Sequence, residues 1–162
     1  MPAAAPSVYL DTCCYQRPSE ATVPDPDPRV LAEAEAVAEI LVLCGAGRAA
    51  RVTSALNWYE AELNGEPRVR EDVLARLAGA DRDVPLGRAA AERAGSLGRG
   101  VPRAARGRDC DGMHLAAAVE AGADVFCTVD KRLRNRGRRA DTGRTRVLTP
   151  AETVALLAGA AP

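Results

Sequence analysis

The clearest strand signal in the chain is the stretch Ala123-Asp124-Val125-Phe126-Cys127-Thr128-Val129-Asp130. β-Branched and aromatic residues fill its middle, as is typical of a buried strand, and an acid ends it. A small-residue helix is predicted just before it, from Asp111 to Ala121 and closed by Gly122, and a short basic helix just after it. A strand set between two helices is typical of an α/β fold with a mainly parallel sheet.

The same alternation of strands and helices extends along the rest of the chain. Further strands are predicted at Val8 to Leu10, Arg51 to Ala55, Asp83 to Leu86 and Arg146 to Leu148. Further helices are predicted from Pro28 to about Leu43, Leu56 to Leu63, Val69 to Leu77, Ala89 to Ala94, Lys131 to Arg136, and after the capping box Thr149-Pro150-Ala151-Glu152. The prolines at 18, 24, 26 and 28 predict a loop after the first strand. We expect one domain over residues 7–158, after a short extension of residues 1–6.

Four acidic residues each lie where a hydrophobic strand gives way to a turn or helix: Asp11, Glu60, Asp111 and Asp130. Residues at the carboxyl ends of strands in an open α/β sheet line one crevice. Two carboxylates about 5 Å apart repel by roughly 3 kcal/mol at an effective dielectric near 20, so four together need a cation. Oxygen ligands of this kind select Mg²⁺ or Mn²⁺. Each acid taken alone also fits a helix cap, a turn or a solvated helix position.

Composition excludes several other classes of protein. A hydrophobic fraction of 47% with 27% charged residues is typical of a globular protein. No apolar run reaches the length of a membrane span, and the start of the chain lacks the basic flank of a secretion signal, so we expect a cytoplasmic protein without membrane contact. The five cysteines form no C-x-x-C pair, and we expect them to be reduced.

Basic residues concentrate in the second half of the chain, although the net charge is zero. Twelve basic and six acidic residues lie between Arg99 and Arg146, and all the basic residues there except Lys131 are arginine. Arginine suits phosphate binding, and the candidate substrate contacts are Arg103, Arg106, Arg108, Lys131 and Arg132. A compositional bias that enriches Ala, Gly and Arg throughout the chain explains the same pattern equally well.

Taken together, these stretches resemble the PIN-domain nucleases, including the VapC-like toxins of bacterial toxin–antitoxin pairs. The resemblance covers about residues 7 to 150 and is carried by Val8-Tyr9-Leu10-Asp11-Thr12-Cys13, Thr53-Ser54-Ala55-Leu56-Asn57-Trp58-Tyr59-Glu60, Asp111-Gly112-Met113-His114-Leu115-Ala116-Ala117-Ala118 and Gly122 to Asp130. It implies a three-layer α/β/α domain, a requirement for Mg²⁺ or Mn²⁺, and hydrolysis of RNA phosphodiester bonds. It also implies a small antitoxin protein as partner, and it is the sole basis for expecting a homodimer.

Carried over by position, the resemblance makes Asp11, Glu60, Asp111 and Asp130 the acidic, metal-binding site, with Thr128 as a supporting hydroxyl. Cys13 stands where the family more usually has serine or asparagine, so its supporting contact is expected to be weaker. Asp109 competes with Asp111 for the third position. His114 is interpreted as a helix-packing residue rather than as a catalytic acid.

Two other functions remain open. A catalytically silent PIN-like module would bind RNA or a protein through its basic segments and would not need the acids. A phosphatase with Asp11 as nucleophile usually carries a second aspartate two residues later, where this chain has Cys13.

Overall fold

The structure, a computed structural model, describes residues 4–97 and 110–159. Within these ranges it has five strands, β1 (Ser7–Leu10), β2 (Ala50–Ser54), β3 (Arg82–Val84), β4 (Val125–Cys127) and β5 (Arg146–Leu148). The helices of the same ranges are α1 (Thr12–Glu20), α2 (Pro28–Gly45), α3 (Ala55–Glu62), α4 (Pro67–Leu77), α5 (Arg88–Leu97), α6 (Cys110–Glu120), α7 (Lys131–Arg139) and α8 (Pro150–Gly159).

All neighbouring strands are parallel, in the order β3-β2-β1-β4-β5. The first strand lies in the centre, with Val8 beside Arg51 on one side and Val125 on the other. Strand order therefore reverses around β1, and the carboxyl ends of β1, β2 and β4 meet at one edge of the sheet.

Two hydrophobic cores cover the two faces of this sheet. Val8 and Leu10 belong to one core, together with residues of α1, α2, α4 and α8. Tyr9 belongs to the other, together with residues of α5, α6 and α7. Neighbouring residues of a strand point to opposite faces, so this division places helices on both sides. The predicted three-layer α/β/α architecture with a parallel sheet is confirmed.

The predicted elements match the structure closely, with one exception. The loop expected after β1 is wrong, because Thr12–Glu20 forms a helix with Pro18 inside it. Burying Tyr15 and Cys14 on this helix is worth a few kcal/mol, the same order as the cost of a proline in a helix. Among the described residues, no helix is long and apolar enough to cross a membrane.

Two predicted helix boundaries show how local sequence fixes the connections. Asp27 accepts a hydrogen bond from the Arg29 backbone N–H and starts α2 with Pro28 at its first position. Gly122, two residues after the end of α6, adopts a positive φ of 64°, the left-handed conformation that glycine tolerates best. This turn leads the chain from α6 back into β4.

Candidate metal centre

Asp11 lies at the carboxyl end of β1 and is only 5% exposed. Its backbone N–H donates to the carbonyl of Cys127 at 3.0 Å, which ties the end of β1 to β4. Its side-chain Oδ2 accepts hydrogen bonds from Thr128 Oγ1 at 2.8 Å and Cys13 Sγ at 3.1 Å. A charged carboxylate can remain buried here because donors satisfy it.

Glu60 reaches the same place from α3. Its Oε2 is 2.7 Å from Nε2 of His114, a residue of α6 that is 1% exposed. The same Nε2 is 3.7 Å from Asp11 Oδ1. Asp11, Glu60 and His114 each offer a ligand atom within 4.8 Å of the others. Three elements distant in sequence therefore converge at the carboxyl edge of the sheet.

Asn57 fixes the start of α3 against the end of β1. Its side-chain amide donates to the carbonyl of Leu10 at 3.1 Å and to Thr12 Oγ1 at 3.2 Å. Its side-chain oxygen accepts from the Ser54 backbone N–H at 3.0 Å. Because Asn57 is fully buried, these bonds have no competition from solvent. They hold the first turn of the helix that presents Glu60.

Glu60 and His114 shift each other's pKa. Burial raises the pKa of Glu60, but the hydrogen bond and charge of His114 outweigh it, so the pKa lies below its ordinary value. Burial lowers the pKa of His114, but the bond to Glu60 and the charges of Asp11, Glu60 and Asp111 outweigh it, so the pKa is raised. An ionised carboxylate only accepts hydrogen bonds, so Nε2 carries the proton directed at Glu60.

The donor set of this cluster fits a small divalent cation. Two ligands of one Mg²⁺ at about 2.1 Å each lie at most about 4.2 Å apart. Carboxylate oxygens of Asp11 and Glu60 already lie within 4.8 Å of each other, so a small side-chain adjustment is enough. Carboxylate oxygens are the ligands Mg²⁺ and Mn²⁺ prefer, and Asp11 and Glu60 supply them.

The other two predicted acids have different surroundings. Asp111 is exposed at the second position of α6, and its charge acts on His114. Asp130 caps α7, since its Oδ1 accepts from the backbone N–H groups of Arg132 and Leu133 at 2.6 and 2.9 Å. Its own N–H donates to Thr128 Oγ1 at 3.0 Å, which links it to Asp11 through one hydroxyl.

The candidate substrate contacts are described only in part. Lys131 and Arg132 are exposed at the first two positions of α7, directly after Asp130. The predicted contacts Arg103, Arg106 and Arg108, and the alternative acid Asp109, lie outside the described residues.

His114 is the residue that sequence reasoning undervalued. It is buried, as the interpretation as a packing residue requires, yet its nitrogens bond Glu60 and, at 2.8 Å, the hydroxyl of Tyr9. One signal in the sequence could have revealed this: His114 is the only histidine of the chain and interrupts an otherwise apolar helix stretch. A buried imidazole needs polar partners.

A five-stranded parallel sheet lies between helical layers and carries acids at its carboxyl edge, which is consistent with the PIN-like fold that the sequence predicts. The solved structures similar to this chain include a chain of the VapBC2 complex from Rickettsia felis, bound to a DNA fragment from its promoter. That match has a TM-score of 0.56 and 10% identity, and covers 88% of this chain and 98% of that chain. A chain of FitAB bound to an IR36 DNA fragment matches with a TM-score of 0.50 and 21% identity, over 88% of this chain and 94% of that chain. Comparison of the sequence with protein-family models and with curated proteins gave no match.

Proposed function

We propose that this protein is a metal-dependent endoribonuclease that hydrolyses RNA phosphodiester bonds. The observation that carries the proposal is the convergence of Asp11 and Glu60 with His114 at the carboxyl edge of a PIN-like sheet. Two buried or half-buried acids within reach of one cation are costly to keep without a function. The motif resemblance supplies the substrate class.

In this proposal Asp11 and Glu60 hold Mg²⁺ or Mn²⁺. Asp111 and Asp130 complete the acidic set, directly or through waters. A divalent ion bound there supplies positive charge to the phosphate oxygens and lowers the pKa of an attacking water. The products of such a hydrolysis carry 5′-phosphate and 3′-hydroxyl ends.

The chain's own side chains have separate tasks in this proposal. Thr128 and Cys13 donate to Oδ2 of Asp11, which leaves Oδ1 directed toward the cluster. The exposed cations Lys131 and Arg132 bind phosphates of the RNA strand beside the site. Arg103, Arg106 and Arg108, which lie outside the described residues, are proposed as further phosphate contacts from the sequence alone.

We further propose that the protein is the toxin of a toxin–antitoxin pair. The support comes from the motif resemblance to VapC-like toxins and from the two similar structures, both of which are named as complexes bound to DNA. A small antitoxin protein is the expected partner, and a homodimer is the expected assembly. Co-expression with the product of a neighbouring gene, followed by co-purification and inhibition of cleavage, tests this part.

The test of the enzymatic proposal is RNA cleavage by purified protein with Mg²⁺ or Mn²⁺, with and without EDTA. Asp11→Asn keeps the shape of the side chain and removes its charge. Asp25→Asn is the matched control, because Asp25 is an exposed acid beyond the opposite end of α1. We expect EDTA to abolish cleavage. Loss of a residue that only supports a metal ligand costs about 10- to 100-fold in activity, so Asp11→Asn, which changes a ligand itself, should lower the cleavage rate by more than that. Asp25→Asn should match wild type.

Cleavage that Asp11→Asn leaves unchanged would refute the assignment of the site. RNA binding without turnover under either metal would favour the catalytically silent module instead. Sequencing of the products distinguishes 5′-phosphate ends from the 5′-hydroxyl ends left by metal-independent ribonucleases that use the 2′-hydroxyl as nucleophile.

A further inference from the structure

A chain of side-chain hydrogen bonds runs from Ser54 through Tyr9 and His114 to Glu60. Ser54 Oγ lies 2.7 Å from Tyr9 Oη, Tyr9 Oη lies 2.8 Å from His114 Nδ1, and His114 Nε2 lies 2.7 Å from Glu60 Oε2. The four residues come from β2, β1, α6 and α3. The chain therefore crosses the fold and ends at the candidate metal centre.

Its first three members are sealed from solvent. Ser54 and Tyr9 are 0% exposed and His114 is 1% exposed. Water cannot readily replace a partner lost at these positions, so each hydroxyl or nitrogen depends on its neighbour in the chain. The half-buried Glu60 is therefore held by a hydrogen bond from a residue that is itself fully buried.

The geometry leaves the imidazole of His114 one orientation. Nε2 must direct its proton at the Glu60 carboxylate, and Nδ1 is engaged by the Tyr9 hydroxyl. Tyr9 also packs edge-on against the His114 ring, with centroids 5.9 Å apart at 63°, and stacks on Phe126 at 5.8 Å. A ring flip would break the hydrogen bonds to Glu60 and Tyr9, and also the 3.3 Å contact of Nε2 with Thr12 Oγ1.

We infer that Ser54, Tyr9 and His114 are positioning residues that fix the Glu60 carboxylate for metal binding. The inference rests on the proposed function, because it assigns this chain of hydrogen bonds to that metal site. It follows the general rule that groups behind a ligand orient it, and that their loss costs about 10- to 100-fold in metal affinity or activity. None of the three positioning residues needs to touch the substrate.

The test compares Tyr9→Phe with Tyr15→Phe. Each variant removes one buried tyrosine hydroxyl, but among the described residues the hydroxyl of Tyr15 has no hydrogen-bond partner. Mn²⁺ affinity is measured by isothermal titration, and the ring of His114 is observed by NMR after ¹⁵N-histidine labelling. His114 is the only histidine, so it gives a single set of ring signals.

We expect Tyr9→Phe to weaken Mn²⁺ binding about 10-fold and to move both ring-nitrogen signals, with Tyr15→Phe unchanged in both readouts. Ser54→Ala, a second variant in case Tyr9→Phe folds poorly, should give a smaller change in the same direction. Glu60→Gln in the metal-free protein should also move the His114 signals.

The inference is overturned if folded Tyr9→Phe keeps the wild-type Mn²⁺ affinity, whatever its ring signals do. Wild-type protein that binds no Mn²⁺ would refute the proposed function instead. In that case the NMR comparison alone decides whether Tyr9 orients His114 against Glu60. Unchanged ring signals in Tyr9→Phe would then also reject the positioning role of Tyr9.

Discussion

Thr128 donates a hydrogen bond from Oγ1 to Oδ2 of Asp11 at 2.8 Å, across 117 residues of sequence. Thr128 Oγ1 also accepts a hydrogen bond from the backbone N–H of Asp130 at 3.0 Å. One fully buried hydroxyl therefore joins the ends of β1 and β4 and orients the acid with the lowest exposure in the cluster. The fold uses this threonine to set the geometry of the candidate metal centre.

Replacing Thr128 by valine tests this role, because valine keeps the shape and removes the hydroxyl. The Asp130 N–H and one oxygen of Asp11 lose a partner, so we expect about 1–3 kcal/mol less stability. Metal affinity should fall about 10-fold. Thr128→Ser restores the hydroxyl and should recover most of the affinity. Urea unfolding and Mn²⁺ titration measure the two effects, and a Thr128→Val protein with wild-type affinity would contradict this role.

The cysteines should differ sharply in reactivity. Burial raises the pKa of Cys14 and raises that of Cys44 to about 11. For Cys13, burial and the Asp11 carboxylate outweigh a hydrogen bond with Cys14 that lowers the pKa, so its pKa is also raised. These thiols stay protonated near neutral pH, and the thiolate is the reactive form. Cys110, by contrast, is exposed.

We therefore expect folded protein at about pH 8 to show one fast thiol toward DTNB, and Cys110→Ser to show none. Slow reaction of Cys13, Cys14 and Cys44 should accelerate as the pH rises toward their raised pKa values. A fast phase that persists in Cys110→Ser would show that a buried thiol is more accessible than the structure allows.

The hydroxyl of Tyr15 offers a stability test inside the first core. It is buried without a hydrogen-bond partner among the described residues, whereas the hydroxyl of Tyr9 has two. Leaving a buried donor unpaired costs about 1–3 kcal/mol. Tyr15→Phe should therefore stabilise the protein by up to about 1 kcal/mol, and Tyr9→Phe should destabilise it by about 1–3 kcal/mol. Denaturant unfolding of both variants would contradict this if Tyr15→Phe proved the less stable.

A pH-dependent contribution is expected at the start of α8. Hydrogen bonds from Thr149 and Arg138 outweigh slight burial and lower the pKa of Glu152. A carboxylate with a lowered pKa stabilises the fold above its unfolded pKa of about 4.3, and this contribution is lost as the pH falls through the folded value. Glu152 and Arg138 are half exposed, so Glu152→Gln should cost less than about 1 kcal/mol.

The comparison that checks this is unfolding of wild type and Glu152→Gln at about pH 7 and again below about pH 3. The difference should be present at the higher pH and absent at the lower one. A difference that persists in acid would assign it to packing rather than to the carboxylate charge.

Most of the fold was predictable because its signals are local. Strand β4 is marked by apolar residues, α2 by Asp27-Pro28, and α8 by the reciprocal bonds of Thr149 and Glu152. Helix α1 was not predictable in the same way. Its proline argues locally for a loop, and the helix depends on burying Tyr15 against a core assembled from distant segments.

The candidate site was also predictable only in part. The end of β1 and the helix α3 that follows β2 bring Asp11 and Glu60 together, and that topology could be inferred from alternating strands and helices. The bond between His114 and Glu60 joins residues 54 positions apart, and its direction depends on how α6 packs on the sheet. Sequence spacing alone does not give the direction in which the His114 side chain points. The helix cap that the sequence also allowed for Asp130 is confirmed, because its carboxylate accepts hydrogen bonds from two backbone N–H groups at the start of α7.

Metal binding at Asp11 and Glu60 is tested most directly by an Mn²⁺ titration of metal-free protein followed by electron paramagnetic resonance. Wild type, Asp11→Asn and the control Asp25→Asn are compared under the same conditions. We expect saturable Mn²⁺ binding in wild type and Asp25→Asn, and at least about 10-fold weaker binding in Asp11→Asn. Equal binding by all three proteins, or none by wild type, would contradict this expectation.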